Sequence, residues 1–129
     1  MRPAPARRPI LVVDDEPGIR EVVRLILESH GHAVELAADA AEARRLLAAA
    51  PAPPRAILLD VVLPGEDGLS FCRALKADPR LATVPILMIT GRVRRGDRER
   101  ARAAGAEELL TKPFDERAVC RWLDERAAA

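Results

Sequence analysis

The stretch Ile10-Leu11-Val12-Val13-Asp14-Asp15-Glu16-Pro17 decides the fold. A strand covered on one face only would alternate apolar and polar residues. The unbroken, largely β-branched run Ile10–Val13 instead fits a strand buried on both faces, the habit of parallel sheets. Three acids close the run, and Pro17 stands where a first helical turn tolerates a residue without an N–H.

The same alternation continues outward. Ile19, Val22, Val23, Ile26 and Leu27 recur at helical spacing, and Gly31 ends that helix. Val34–Ala37 is a weaker strand. Asp39 with Glu42 reads as a capping box for a helix lined by Ala43, Leu46, Leu47 and Ala50, which Pro51–Pro54 breaks. Ala56–Leu59 is the third strand and stops at Asp60. Pro64–Asp67 is a turn, and Gly68, Phe71, Cys72 and Leu75 face one way on the next helix. Val84–Ile89 is the fourth and most hydrophobic strand. After the basic loop Gly91–Gly96, Asp97 reads as the cap of a helix that runs to Ala104 and stops at Gly105. Glu107–Leu110 is a short fifth strand. Phe114, Val119, Trp122 and Leu123 mark a last helix, Asp115–Arg126. This order predicts an α/β fold: a doubly wound, five-stranded parallel sheet with five helices on its two faces. One domain spans 9–125, with 1–8 and 126–129 as tails.

Composition narrows the function. The chain has 129 residues, 49% of them apolar, enough to bury a core without disulfides. A formal net charge of +1 points to neither nucleic acid nor membrane. Aromatic residues make up 2%, which argues against a base-stacking platform. Cys72 and Cys120 have no CxxC spacing and read as reduced, core-facing thiols on helices covering opposite faces of the sheet. No apolar stretch of membrane-spanning length and no secretory leader is legible, so a cytoplasmic protein is expected.

In an open parallel sheet, ligands bind beyond the carboxyl ends of the strands. Strand one ends in Asp14, Asp15 and Glu16, strand three in Asp60, strand four in Thr90, and strand five in Thr111 and Lys112. Carboxylates so gathered repel one another unless a cation lies among them, and hard oxygen ligands suit Mg²⁺. A carboxylate can attack phosphorus and give an aspartyl phosphate, while a metal and a lysine stabilise the transferring group.

Asp14-Asp15 after an apolar strand, Asp60 within Leu58-Leu59-Asp60-Val61-Val62-Leu63-Pro64-Gly65, Thr90-Gly91 and Lys112-Pro113-Phe114 closely resemble the response-regulator receiver domain of two-component systems. The resemblance covers about residues 9 to 125 and implies the flavodoxin-like strand order 2-1-3-4-5. It implies that Asp60 is the phosphoacceptor, and that Asp14, Asp15, Asp60 and the Val62 backbone carbonyl hold Mg²⁺. Thr90 would be the switch hydroxyl, Lys112 the lysine that pairs with Asp60 and then the phosphate, and Gly91 the small residue that leaves room for it. Lys112-Pro113 would be a cis peptide. The partners implied are a histidine kinase or histidine phosphotransfer protein, and a downstream protein or output domain. The latter would be met through Asp97–Ala104, Glu107–Leu110 and Asp115–Arg126. No membrane or direct nucleic-acid contact is implied. The chain would be a signalling module that catalyses only its own phosphorylation and dephosphorylation, not an enzyme. One departure stands out: the family often carries an aromatic residue three positions before the lysine, where this chain has Leu109.

Blander readings stand beside these. Asp14, Asp15 and Glu16 alone would suit the first turn of a helix. Thr90 could be an ordinary strand-end residue, and Lys112 a surface lysine. The arginines at 92, 94, 95, 98, 100 and 102 read as a solvated helix face before a phosphate-binding one. His30 and His32 read as surface residues, and Trp122 and Met88 as core. A degenerate receiver used as a protein-binding scaffold would lack Asp60, Lys112 or the acidic pair. A haloacid-dehalogenase-like phosphatase needs a second Asp two residues after the first, where Val62 stands. Neither GxxxxGK[ST] nor GxGxxG occurs in the sequence, which disfavours a nucleotide-binding enzyme.

Overall fold

The computed structural model describes residues 8–91, 93–112 and 115–127. Ten elements alternate: β1 (Ile10–Val13), α1 (Pro17–Ser29), β2 (Val34–Ala37), α2 (Ala40–Ala49), β3 (Ala56–Asp60), α3 (Gly68–Ala77), β4 (Ile86–Thr90), α4 (Asp97–Ala103), β5 (Glu108–Thr111) and α5 (Glu116–Ala127). The strands form one sheet in the order β2-β1-β3-β4-β5, and every pairing is parallel. The expected fold class and strand order are therefore those observed.

The sheet separates two cores. On one face Leu11, Val13, Ile57, Leu59, Ile86, Met88 and Leu109 pack with Ala43 and Leu47 of α2, Phe71, Cys72 and Leu75 of α3, and Ala101 of α4. On the other, Ile10, Val12, Leu58, Leu87 and Ile89 meet Val23 and Leu27 of α1 and Val119, Trp122 and Leu123 of α5. β1, β3 and β4 are buried along their whole length, which explains why their sequences do not alternate. Each large aliphatic side chain buried in this way contributes about 1.5–3 kcal/mol.

Several boundaries and burials differ from expectation. β4 begins at Ile86, not Val84, because the Val84 N–H turns back to the Leu81 carbonyl. β5 and α5 each lie one residue later than predicted. Asp97 does not cap α4. Gly96 does, in the left-handed region at φ +84°, and the Asp97 carboxylate accepts from the Arg94 N–H instead. Glu42 completes its capping box on the Ala38 N–H, while Asp39 accepts from the Glu42 N–H. Val22 faces solvent rather than the core. His30 is exposed as expected and pairs with Glu116, but His32 is buried, with an Arg55 guanidinium nitrogen near its Nδ1. Cys72 and Cys120 are free, and their helices lie on opposite faces of the sheet. Among the described residues no helix is long and apolar enough to cross a membrane.

Candidate functional site

All five strands run the same way, so their carboxyl ends share one edge. The order reverses between β1 and β3, and a crevice opens where the crossovers leave in opposite directions. β1 delivers Asp14 and Asp15 to this crevice and β3 delivers Asp60. Lys112 follows the last residue of β5.

The residues meet there. Lys112 Nζ lies 2.9 Å from Asp60 Oδ2, 3.0 Å from Asp14 Oδ2 and 3.1 Å from Glu16 Oε1. The Val62 N–H donates to Asp60 Oδ1 at 3.0 Å. Asp14, Asp60 and Thr90 are each 5% exposed, and this decides the electrostatics, because buried charges must be paired. Arg20 braces the loop by donating to the Asp14 carbonyl at 2.6 Å. Lys112 is fixed at its backbone too, its N–H reaching the Thr90 carbonyl at 2.6 Å. β4 and β5 thus hold the lysine in register with the threonine.

Burial pushes the Asp60 carboxyl above the ordinary range, and the Asp14 charge adds to this. The Lys112 ammonium and the Val62 N–H pull it back only in part. For Lys112, burial is the largest single influence and favours the neutral amine. Its interactions with the accepting carboxylates of Asp60, Asp14 and Glu16 together outweigh it, so the lysine stays protonated to high pH.

Asp14, Asp15, Glu16 and Asp60 can each bring one carboxylate oxygen to a place where all lie within 4.8 Å of one another. Such an all-oxygen set, with Asp15 reaching out to solvent, fits a small hard divalent cation that keeps water ligands. A small space of about 20 Å³ lies beneath these residues, lined mostly by apolar side chains such as Val12, Ile19, Val23 and Leu58 with Asp14, Asp60 and Lys112 at its rim.

The structure brings together Asp14, Asp15, Asp60 and Lys112 as the sequence predicts. It buries Thr90 at the end of β4 and leaves Val62 70% exposed beside the site. Gly91 follows Thr90, and a Cβ there would meet nothing within 4 Å. The cis peptide expected at Lys112-Pro113 lies outside the described residues. Two features escaped sequence reading. Glu16, noted only as a strand-end acid, reaches Lys112. Gly68, read as one residue of a helix face, packs against the backbone that carries Asp60: a Cβ on it would press on the Asp60 carbonyl oxygen and lie 2.6 Å from that of Val61. Sequence offered no signal for either, since both depend on how loops return to the sheet edge.

Comparison with known proteins agrees with this geometry. The family model of the response regulator receiver domain matches residues 10–124. A transcriptional regulator of Synechocystis, RpaA, is 39% identical over 106 residues, covering 82% of this chain and 43% of the regulator. The response regulator MprA of Mycolicibacterium vanbaalenii is 43% identical over 105 residues, covering 81% of this chain and 44% of that protein. The chain thus spans less than half the length of these two relatives. Among solved structures, the receiver domain of a Pseudomonas aeruginosa sensor histidine kinase aligns with a TM-score of 0.83 at 35% identity, over 96% of this chain and 100% of the other. That structure has a magnesium ion coordinated in its active-site cleft. The chemotaxis protein CheY4 of Vibrio cholerae aligns with a TM-score of 0.84 at 32% identity, over 93% of this chain and 98% of the other. This chain belongs to the response regulator receiver domain family.

Proposed function

We propose that this domain accepts a phosphoryl group on Asp60 in a Mg²⁺-dependent reaction, from a histidine kinase or histidine phosphotransfer protein of a cytoplasmic two-component pathway. The observation that carries the reading is the convergence of Asp60, the acidic pair Asp14–Asp15 and Lys112 at the crevice where the strand order reverses. A magnesium ion held by Asp14, Asp15, Asp60 and the Val62 carbonyl would supply charge neutralisation for the transferring group.

The chain's own residues do the rest. An Asp60 carboxylate oxygen forms the new O–P bond as the donor's N–P bond breaks, and that bonding pair leaves on the donor imidazole. Lys112, held within 3.0 Å of both buried aspartates, supplies a fixed positive charge for the phosphoryl oxygens. Thr90, buried at the end of β4, would donate its hydroxyl to one of them, and Gly91 leaves the approach open. The role is that of a signalling module rather than of a metabolic enzyme. A scaffold-only receiver would not need four chemically matched residues at one edge. A haloacid-dehalogenase-like phosphatase would need an acid where Val62 stands.

Acetyl phosphate with Mg²⁺ tests the reading. Asp15→Ala should abolish metal-dependent labelling and leave the fold intact, since Asp15 is exposed. It should also raise the thermal midpoint slightly in metal-free buffer, because one charge of a crowded acidic set is gone. Labelling of Asp15→Ala at the wild-type rate would overturn the metal assignment.

A further inference from the structure

Glu16 makes an unusual choice of partner. It occupies the N-cap of α1, where a carboxylate ordinarily accepts from the N–H groups of the first turn, yet its side chain makes no capping bond. It turns instead to Lys112, 96 residues further along the chain, with Oε1 3.1 Å from Nζ. Its backbone is held on both sides. The Glu16 N–H donates to Asp14 Oδ1 at 2.9 Å, and the Glu16 carbonyl accepts from the Arg20 N–H at 3.0 Å. The Glu16 side chain is 60% exposed, against 7% for Asp14 and 5% for Asp60. Water alone could solvate Glu16, so the lysine is not there to neutralise it.

The Lys112 ammonium donates to Asp60 and Glu16 and lies 3.0 Å from Asp14, so three carboxylates share its charge. Two of the three, Asp14 and Asp60, belong to the proposed metal set; Glu16 can also turn an oxygen towards that set, but its Oε1 is engaged by Lys112. With those two engaged by a divalent cation, their pull on the lysine weakens, and the cation itself repels the ammonium. Glu16 is the remaining anchor.

We infer that Glu16 is a positioning residue that holds the Lys112 ammonium at the mouth of the site when Asp14 and Asp60 are committed to the metal. The inference rests on the phosphoacceptor reading above. It assigns to the third acid after β1 a task separate from those of the first two: keeping the lysine within reach of an incoming phosphoryl group. The contact is partly solvated, so its effect is modest, a change of roughly two- to fivefold.

Glu16→Gln carries the test, because a substitution this exposed leaves the fold intact. Three measurements are needed. In metal-free protein, ¹⁵N NMR of the lysine ammonium groups should show Lys112 protected from exchange with water in the wild type and exchanging faster in Glu16→Gln. Calorimetry gives the Mg²⁺ affinity of both proteins. At saturating Mg²⁺, labelling by acetyl phosphate should be roughly two- to fivefold slower in Glu16→Gln. Adding the same substitution to Lys112→Ala should slow labelling no further. Full recovery of the Glu16→Gln rate at high Mg²⁺, with weakened affinity, would instead make Glu16 a metal ligand. An equal effect with and without Lys112 would make it a general charge. Unchanged exchange and unchanged rate would remove the role altogether. Failure of the wild type to be labelled would overturn the phosphoacceptor reading, while the metal-free NMR would still decide whether Glu16 holds Lys112.

Discussion

Asp60 is held under opposed influences that can be measured. Burial and Asp14 raise its pKa, and Lys112 offsets this only partly. A carboxyl whose pKa is raised on folding contributes stability below its unfolded pKa and loses it as pH rises through the folded value. At neutral pH the ionised Asp60 is therefore a net cost. Asp60→Asn should stabilise the metal-free protein at pH 7 in urea unfolding, with the gain fading towards pH 3. A less stable variant at pH 7 would contradict this account of the site. Lys112 has the opposite profile. Its raised pKa contributes stability at neutral pH that is lost only in the alkaline range, above the ordinary lysine value. Lys112→Met leaves two buried carboxylates unpaired and should cost about 3 kcal/mol at pH 7. Added Mg²⁺ should restore part of that loss. A loss that Mg²⁺ leaves unchanged would mean that the cation does not sit among these carboxylates.

Among the helices, α4 presents the smallest apolar side chains to the sheet. It offers the sheet only alanines, Ala101 within the helix and Ala104 just after it. An alanine buries far less surface than the leucines of α1 and α2. Arg98 adds a hydrogen bond to the Leu109 carbonyl at 2.6 Å, so the helix also leans on β5. Low local stability suits an element that must move. Phosphorylation, or the mimic beryllofluoride, should change hydrogen exchange most over residues 91–105. Changes confined to the neighbourhood of Asp60 would place the output surface elsewhere. Trp122 is core, as the sequence reading expects. Trp122 is 5% exposed and lies under the Arg126 guanidinium, 4.5 Å from its ring centroid. Leu109 is buried against the alanines of α4, so an aliphatic side chain fills the place where the family often has an aromatic. At the start of α3, Gly68→Ala should cost about 1–3 kcal/mol and slow phosphorylation, because its Cβ must displace the backbone of Asp60 and Val61. Chemical unfolding and acetyl phosphate labelling of that variant check both effects.

On the scale of the whole molecule, what was legible in the sequence and what was not have separate physical causes. The three central strands declared themselves because burial on both faces removes every polar interruption from β1, β3 and β4. The site residues followed, since the carboxyl ends of parallel strands lie at one edge whatever the loops do. The first residue of β4 could not be read: Val84 is as buried as a strand residue, and only its hydrogen bond to Leu81 shows that it belongs to the preceding turn. His32 was misread because no periodicity marks a polar residue that the fold covers. Glu16 and Gly68 were missed because their roles arise from contacts between segments far apart in sequence or across a loop. The placement of the cysteines on opposite faces of the sheet was legible from helix order alone. Intact mass before and after reduction should therefore reveal no bridge between them, and an intramolecular disulfide would contradict the two-faced arrangement.

Intact-mass spectrometry after incubation with acetyl phosphate and Mg²⁺ decides whether Asp60 is the one phosphoacceptor. A single phosphoryl adduct is expected on the wild-type chain, none without the metal and none in Asp60→Asn. An adduct that persists in Asp60→Asn at wild-type yield would contradict this and place the acceptor on another residue.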